Sequence, residues 1–457
     1  MMKGMKILSH FREKSVRIFN FFCLFISIVL TQNDDVIISS INADTVQNKL
    51  DHYLEQDHGL SISFVLKSFD KVDNISTYSI VDNPKAIDTI LVKYNDKIKN
   101  NTLKQIFGLY ESAVIGENFN HVGKKLVSRY YFINDEPIPQ LGMINSELGA
   151  IISFTPNFES NFSGILGISN LENKWNINGE LDLQMENYFQ NAERGSFYWK
   201  RIDSLSQIIK LGVLFPHPFG WKTGIDLKYQ YGIFKGLYTS MENRHMLNTY
   251  MPWLNKVGLG YVFGRTTPTQ KGMDLGHRAS KYQAFSFSSN REEMNDRYLP
   301  TSGTGIQLII DGGLDGQVNY LNTSFSFMKI KPINTNIFYK VKFSGKGIAY
   351  DGIAVPISRY HRFGGALSLR GYEEQQFTST QFQVTTVEIG YNTTNLMQMI
   401  AFMDLGSDRI NVFQKSWLGY GIGLSQINKD FMINLEYGIS GNSLKNGKIH
   451  LRWITRL

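Results

Sequence analysis

Trp175-Asn176-Ile177-Asn178-Gly179-Glu180-Leu181-Asp182-Leu183-Gln184-Met185-Glu186-Asn187 sets Trp175, Ile177, Leu181, Leu183 and Met185 against Asn176, Asn178, Glu180, Asp182, Gln184 and Glu186 at alternate positions. A helix would scatter those apolar side chains around its circumference, whereas an extended strand puts them all on one face. The pattern returns in Trp221, Ile225, Leu227, Tyr229 and Tyr231 against Lys222, Asp226, Lys228 and Gln230, and again in Phe431, Ile433, Leu435, Tyr437 and Ile439 against Asn434, Glu436 and Ser440. Soluble sandwiches alternate as well. Charge on one face, aromatic and aliphatic bulk on the other, and repetition to the last residue favour strands with lipid outside and water inside.

Sixteen such segments follow one another from a first near Leu166 to a last near Trp453, the sixth, around Glu242, being the most polar. An even count lets an antiparallel sheet close without an exposed edge and returns both ends of the barrel to one side. Aromatic residues at 13% and 40 glycines suit such a wall, whose average hydropathy is held down by polar lumen residues. The expected fold is a transmembrane antiparallel β-barrel over residues 159–457.

The preceding residues differ in texture. Lys3, Lys6, Arg12, Lys14 and Arg17 lead into the uncharged apolar run Ile18 to Leu30, too short for a comfortable span, which reads as a signal peptide over residues 1–32 with an uncleaved anchor as the alternative. No A-x-A pattern follows it, and Cys23, behind two phenylalanines, lacks the small-residue setting of a lipidated cysteine. Loss of that segment removes the only cysteine, and with it any disulfide or thiolate. Residues 33–88 and 89–158 each suggest a small α+β unit. The second reads as strand, two helices and two strands; the first is shorter, without a clear second helix.

Two further strings carry charge into the barrel. His361-Arg362-Phe363-Gly364-Gly365-Ala366-Leu367-Ser368-Leu369-Arg370-Gly371-Tyr372 lies in the long gap before the twelfth strand, and Phe402-Met403-Asp404-Leu405-Gly406 in the thirteenth. An unpaired charge there is costly, so Arg370 and Asp404 should be partners, the planar guanidinium matching the carboxylate in bidentate fashion. The plainer alternative is a loop arginine and a lumen carboxylate that never meet. Gly371 would allow a close turn against the wall, and Tyr372 would bury a ring with a polar tip.

These strings resemble the (V/L)RG(F/Y) motif of the sixth loop, with Gly364, Gly365, Arg370, Gly371 and Tyr372, and the FxDxG motif of the thirteenth strand, with Phe402, Asp404 and Gly406, of the BamA/TamA superfamily of outer-membrane assembly barrels. Asn295 to Gly303, with Pro300, is similar to that family's FPTxG turn, and the two α+β units resemble its polypeptide-transport-associated (POTRA) domains, the first in degenerate form. The resemblance implies a bacterial outer-membrane protein with a periplasmic N-terminal part. It also implies insertion or translocation of client proteins, contact with outer-membrane lipid and, in some settings, accessory periplasmic proteins. The seam between first and last strands, with Phe162, Gly164, Gly167, Ile449, Leu451 and Trp453, would be the working edge. Outer-membrane barrels commonly end on an aromatic residue, whereas this chain ends on Leu457.

Other functions find little support. No G-x-S-x-G or H-E-x-x-H occurs, the nine histidines are scattered, and the lone cysteine sits in the export segment, so no enzyme, metal or cofactor is expected. Gly419, Gly421 and Gly423 fall at alternate strand positions and leave room for a loop inside the barrel instead of cradling a phosphate. The net charge of +7, partly in the export segment, is no nucleic-acid footprint. Glu292-Glu293 and Glu373-Glu374 read as solvated loop residues. The rival function is a passive solute channel, which needs neither the N-terminal units nor an inward loop.

Overall fold

A computed structural model of the chain describes residues 35–40, 42–53, 62–82, 87–94, 98–111, 117–144, 147–171, 174–251, 253–409, 414–441 and 447–457. The expected signal peptide, with Cys23, lies outside them.

The first small unit comprises β1 (Asp35–Ile38), α1 (Ala43–Tyr53), β2 (Ile62–Asp70) and β3 (Ile75–Asp82). Its sheet runs β1-β3-β2, with both outer strands antiparallel to β3. The second comprises β4 (Thr89–Tyr94), α2 (Asn100–Glu111), α3 (Glu117–Arg129), β5 (Pro139–Ile144) and β6 (Glu147–Phe154). Its order is again first-third-second, but here β4 runs parallel to β6. The difference follows from the helices. Two helices deliver the chain to the far end of the sheet, so the next strand runs back against the first, whereas the single helix described in the first unit returns it to the near end. Helix α2 buries Leu103, Ile106, Phe107 and Tyr110 on one face, the stripe that a 3.6-residue period allows.

Sixteen antiparallel strands close the barrel. In chain order they are β7 (Asn161–Leu171), β8 (Lys174–Glu186), β9 (Arg194–Asp203), β10 (Ser206–Phe215), β11 (Gly224–Phe234), β12 (Tyr238–Met251), β13 (Asn255–Pro268) and β14 (Ser280–Met294). Then come β15 (Gly303–Asp315), β16 (Val318–Pro332), β17 (Ile337–Tyr350), β20 (Gln381–Thr394), β21 (Met397–Ser407), β22 (Trp417–Ile427), β23 (Phe431–Ser440) and β24 (Lys448–Arg456). A short hairpin, β18 (His361–Phe363) with β19 (Phe377–Ser379), lies within the long connection from β17 to β20, the sixth loop. Alternation divides the wall as the sequence implies. Leu418, Tyr420 and Ile422 are exposed on the outer face of β22, while Gly419 and Gly423 are buried on the inner. The polar sixth strand, β12, is a full strand, because Glu242 and Arg244 meet partners inside the barrel. Glu292 and Glu293 are not loop residues. They continue β14, where Glu293 pairs with Arg291 in solvent.

The second unit packs on the turns at one end of the barrel. Tyr250 donates its hydroxyl to the Arg129 carbonyl at 2.7 Å, and Asn255 donates to that of Ser128 at 2.8 Å. Arg194 lies 3.8 Å from the centroid of the Tyr131 ring. His217, in the β10–β11 turn, stands 2.8 Å from the Trp221 carbonyl through Nδ1 and 2.7 Å from the Tyr130 hydroxyl through Nε2. A carbonyl only accepts, so Nδ1 carries the proton and neutral Nε2 accepts from Tyr130. Burial lowers the His217 pKa and raises that of Tyr130, which keeps both neutral. Because the folded-state pKa of His217 is depressed, its contribution is intact above the ordinary value of 6.5 and lost as the pH falls through the lowered one. Protease access to the 216–223 turn, read from pH 7.5 down to 5, should therefore increase with acid in the wild type. His217→Gln should flatten the profile, and an unchanged pH dependence in that variant would exclude His217 as the titrating group.

Candidate functional site

The sixth loop leaves β17 and carries its glycines against the inner face of β20 to β23. Gly364 and Gly365 both adopt positive φ, at 113° and 97°, and reverse the chain. The Gly364 amide donates to the Ser368 hydroxyl at 2.8 Å, and the Gly365 amide to the Leu369 carbonyl at 3.1 Å. Leu369 is then packed so closely over Gly406 that a Cβ at that glycine would lie 2.9 Å from the leucine side chain. Gly371, at φ 89°, presses on the backbone of Ile439, and a Cβ on Gly419 would stand 1.9 Å from the Arg370 carbonyl oxygen. Glycine is demanded on both sides of that contact, once by conformation and once by space.

The loop thus delivers Arg370 to Asp404. Nε and one terminal nitrogen donate to the two carboxylate oxygens, each at 2.8 Å, and the Arg370 amide adds a third bond at 3.0 Å. The guanidinium carbon lies 3.5 Å from the centroid of the Phe402 ring. Arg370 is 6% exposed and Asp404 fully buried. The sequence pairs these two residues, and the structure adds two carboxylates that sequence reading missed. Glu388 of β20 lies 2.8 Å from the guanidinium and Glu436 of β23 lies 3.5 Å from it, with Lys340 of β17 closing on Glu388 at 2.7 Å. Both stand on the inner face, and alternation alone could have marked them as inward. What it lacks is the register that sets them beside Asp404.

Around this pair lies a small aromatic core. Phe363 stacks on Phe382 at 4.6 Å, Phe377 lies 4.3 Å from Trp417, and Tyr372 donates its hydroxyl to the Leu418 carbonyl at 3.1 Å. Two more loop arginines reach other walls. Arg359 lies 3.4 Å from the Tyr282 ring and donates to the Tyr350 hydroxyl at 3.3 Å, while Arg362 donates to that of Tyr238 at 2.9 Å. Glu373 and Glu374 are not solvated. Glu373 pairs with Lys448 and Glu374 with Lys200, both lysines rising from the inner wall.

The residues expected at the seam are paired. β24 meets β7 over eight residue pairs, from Ile449 opposite Ile168 to Arg456 opposite Asn161, with His450 opposite Gly167, Trp453 opposite Gly164 and Thr455 opposite Phe162. Fourteen pairs join β12 to β13. Ile449, Leu451 and Trp453 are exposed on the outer face. The turn with Pro300 also contributes something the sequence did not reveal, since Arg297 bonds Glu186 at 2.5 Å and Tyr298 bonds Glu159 at 2.7 Å beside the entry to β7.

One arginine serving three carboxylates makes the costs of its removal unequal. Arg370→Ala would leave Asp404, Glu388 and Glu436 facing one another, at about 3–5 kcal/mol for a desolvated charge stripped of its partner. Asp404→Ala leaves the guanidinium two acceptors and should cost less. The double variant should fall close to Arg370→Ala alone, because the two residues act through one another. Arg370→Lys should recover part of the loss, a point charge replacing a fork. Denaturant titration of the refolded barrel, with protease access to the loop, measures all four. Additive losses would mean that the pair contributes no shared stability.

Among known proteins, the Omp85 superfamily domain matches residues 153–452. CdiB from Acinetobacter baumannii superposes with a TM-score of 0.62 at 12% identity, covering 91% of this chain and 81% of that one. For CdiB from Escherichia coli the score is 0.60 at 14% identity, over 95% and 93%. BamA from Haemophilus ducreyi lacking POTRA domains 1-3 gives 0.51 at 12%, over 87% and 89%. At such identities the likeness is one of fold. No curated protein matches the sequence. The Omp85 match spans more than half of the residues and takes in every strand that holds a partner of Arg370, so this chain, an outer-membrane β-barrel, belongs to the Omp85 superfamily.

Proposed function

We propose that this barrel inserts or translocates client proteins at the outer membrane through the seam between β7 and β24, with the sixth loop held inside the lumen by Arg370. The observation that carries the reading is the buried Arg370–Asp404 pair, which a passive pore has no need to build. The seam joins the first and last strands of the barrel by eight pairs, as many as join β8 to β9 and β23 to β24 and fewer than the fourteen of β12 and β13, so this side of the wall is the lightly paired one and the seam is singled out by its place where the chain closes on itself. Donors and acceptors freed on β7 and β24 would template an incoming strand, as an exposed sheet edge does. The small N-terminal units lie in the periplasm in this reading. The outer strands of their sheets offer further edges to unfolded clients or accessory proteins.

Orientation is tested by single cysteines in a Cys23→Ser background. Asp351→Cys should react with an impermeant thiol reagent on intact cells and Asn101→Cys should not; labelling of Asn101→Cys from outside would reverse the topology.

Seam opening is tested with a disulfide between Gly164→Cys and Trp453→Cys, which stand directly opposite one another. A Cβ at Gly164 meets nothing nearer than 3.6 Å, so the new side chain has room. Oxidation should abolish client assembly and reduction restore it, with heat-modifiable mobility unchanged. Full assembly by a completely crosslinked population would sink the lateral route and leave the channel reading in its place.

A further inference from the structure

Five consecutive residues at the tip of the sixth loop step from one side of the seam to the other. Arg370 is held by β20, β21 and β23, and Glu373 reaches Lys448 on β24, all on the C-terminal side. Glu374 then crosses to the N-terminal side. Its Oε2 lies 2.5 Å from Nζ of Lys200 on β9, and the same ammonium lies 3.2 Å from Glu180 on β8. Lys200 and Glu374 have 9% and 8% of their side chains exposed, so this is a largely dry contact that salt screens poorly.

The place of Glu374 is built. Its Oε1 accepts the Ala366 amide at 2.7 Å. The carboxylate fills the space where a Cβ on Gly365 would sit, 2.0 Å from that oxygen. One oxygen therefore binds the loop and the other binds the opposite wall. The Gly364-Gly365 reversal is what brings the loop backbone within reach of that carboxylate.

We propose that Glu373 and Glu374 form an internal tether across the β24–β7 seam, with Lys448 and Lys200 as its positioning residues on the two sides. The inference rests on the reading that the seam parts. With Arg370 fixed to β21 and Glu374 fixed to β9, the five-residue segment spans the seam on the lumen side, so β24 and β7 separate only when one anchor lets go. Release of the loop and opening of the wall become one event. A client that displaces the loop tip from inside thereby unlatches the edge it will use.

The tether is read directly by nitroxide labels on the strands that flank the seam. Leu181→Cys on β8 and Ile433→Cys on β23 both face outward, and neither belongs to the tether. Pulsed electron-spin distance measurements on the full chain in lipid vesicles should give a mainly closed distribution in the wild type. Glu374→Gln keeps the acceptor for Ala366 but loses the charge, and Lys200→Met removes the ammonium. Each should raise the longer-distance population about fivefold or more, as for an equilibrium biased by one ion pair. Lys200→Arg, which keeps the cation, should behave as wild type, and the Glu374→Gln, Lys200→Met double variant should open no further than either single. Should Lys200→Met fail to fold by heat-modifiable mobility, Glu374→Gln and Glu373→Gln carry the test. Wild-type distributions in the folded charge-loss variants would overturn the tether. That failure is distinct from failure of the functional reading, since the labels report seam geometry whether or not assembly depends on it, whereas the Gly164→Cys, Trp453→Cys crosslink reports the dependence itself.

Discussion

A guanidinium out of water obliges its surroundings to answer it. Arg370 cannot shed its proton, so the inner wall supplies Asp404, Glu388 and Glu436, and Phe402 offers a ring face to what the carboxylates leave uncovered. Much else in the neighbourhood follows from that one demand. The loop must reach the wall closely enough for two-pronged contact, which puts Gly371 opposite the Ile439 backbone and Gly419 beneath the Arg370 carbonyl. The carboxylates must then be kept from repelling one another in the loop's absence. Lys340, on Glu388, is the only cation besides Arg370 paired with that carboxylate set among the described residues.

Burying an ion pair is seldom a route to stability, because desolvation consumes most of what attraction returns, but removing one partner is expensive. That asymmetry suits a lock better than a girder. While it is formed, the pair adds little beyond an apolar contact of the same size, yet any movement that separates its members meets a steep cost. The opposite wall follows the same logic. There Arg244 bonds Asp311 twice, with Ser286 and Asn322 also on that carboxylate, and Arg359 of the loop lies against Tyr282, whose hydroxyl is given to Glu242. The loop is thus held by cations at well-separated walls. A passing solute would meet a lumen in which many of the charges are already spoken for.

How much of this was legible in the sequence depended on the range of the information. Alternation is local, and the sixteen strands, including polar β12, could be counted from it. Asp404 could be tied to Arg370 because both stand in short strings with family likeness. Glu388 and Glu436 could not, since their place beside Asp404 is fixed by the registers of β20 with β21 and β22 with β23, which no single strand encodes. Glu373 and Glu374 misled for the opposite reason. Adjacent acids in a loop are usually solvated, and only the path of the loop through the barrel places Lys448 and Lys200 beside them. Glu292 and Glu293 read as loop residues in the sequence because β14 runs past the apolar stretch that announces it.

The two faces of the seam answer to different solvents. On the outer face Ile449, Leu451 and Trp453 present apolar bulk to lipid, which exerts no selective pull on one neighbour over another. What holds β24 to β7 apart from the inner contacts is therefore the hydrogen-bond ladder, which in the proposed reading an incoming strand with free donors and acceptors would replace. On the inner face the contacts are ionic and particular to this loop, reaching Lys448 on one side and Lys200 on the other. In the proposed reading, an edge that is generic outside and latched inside would accept many sequences while staying shut in their absence, with the ionic latch adding to what the ladder holds.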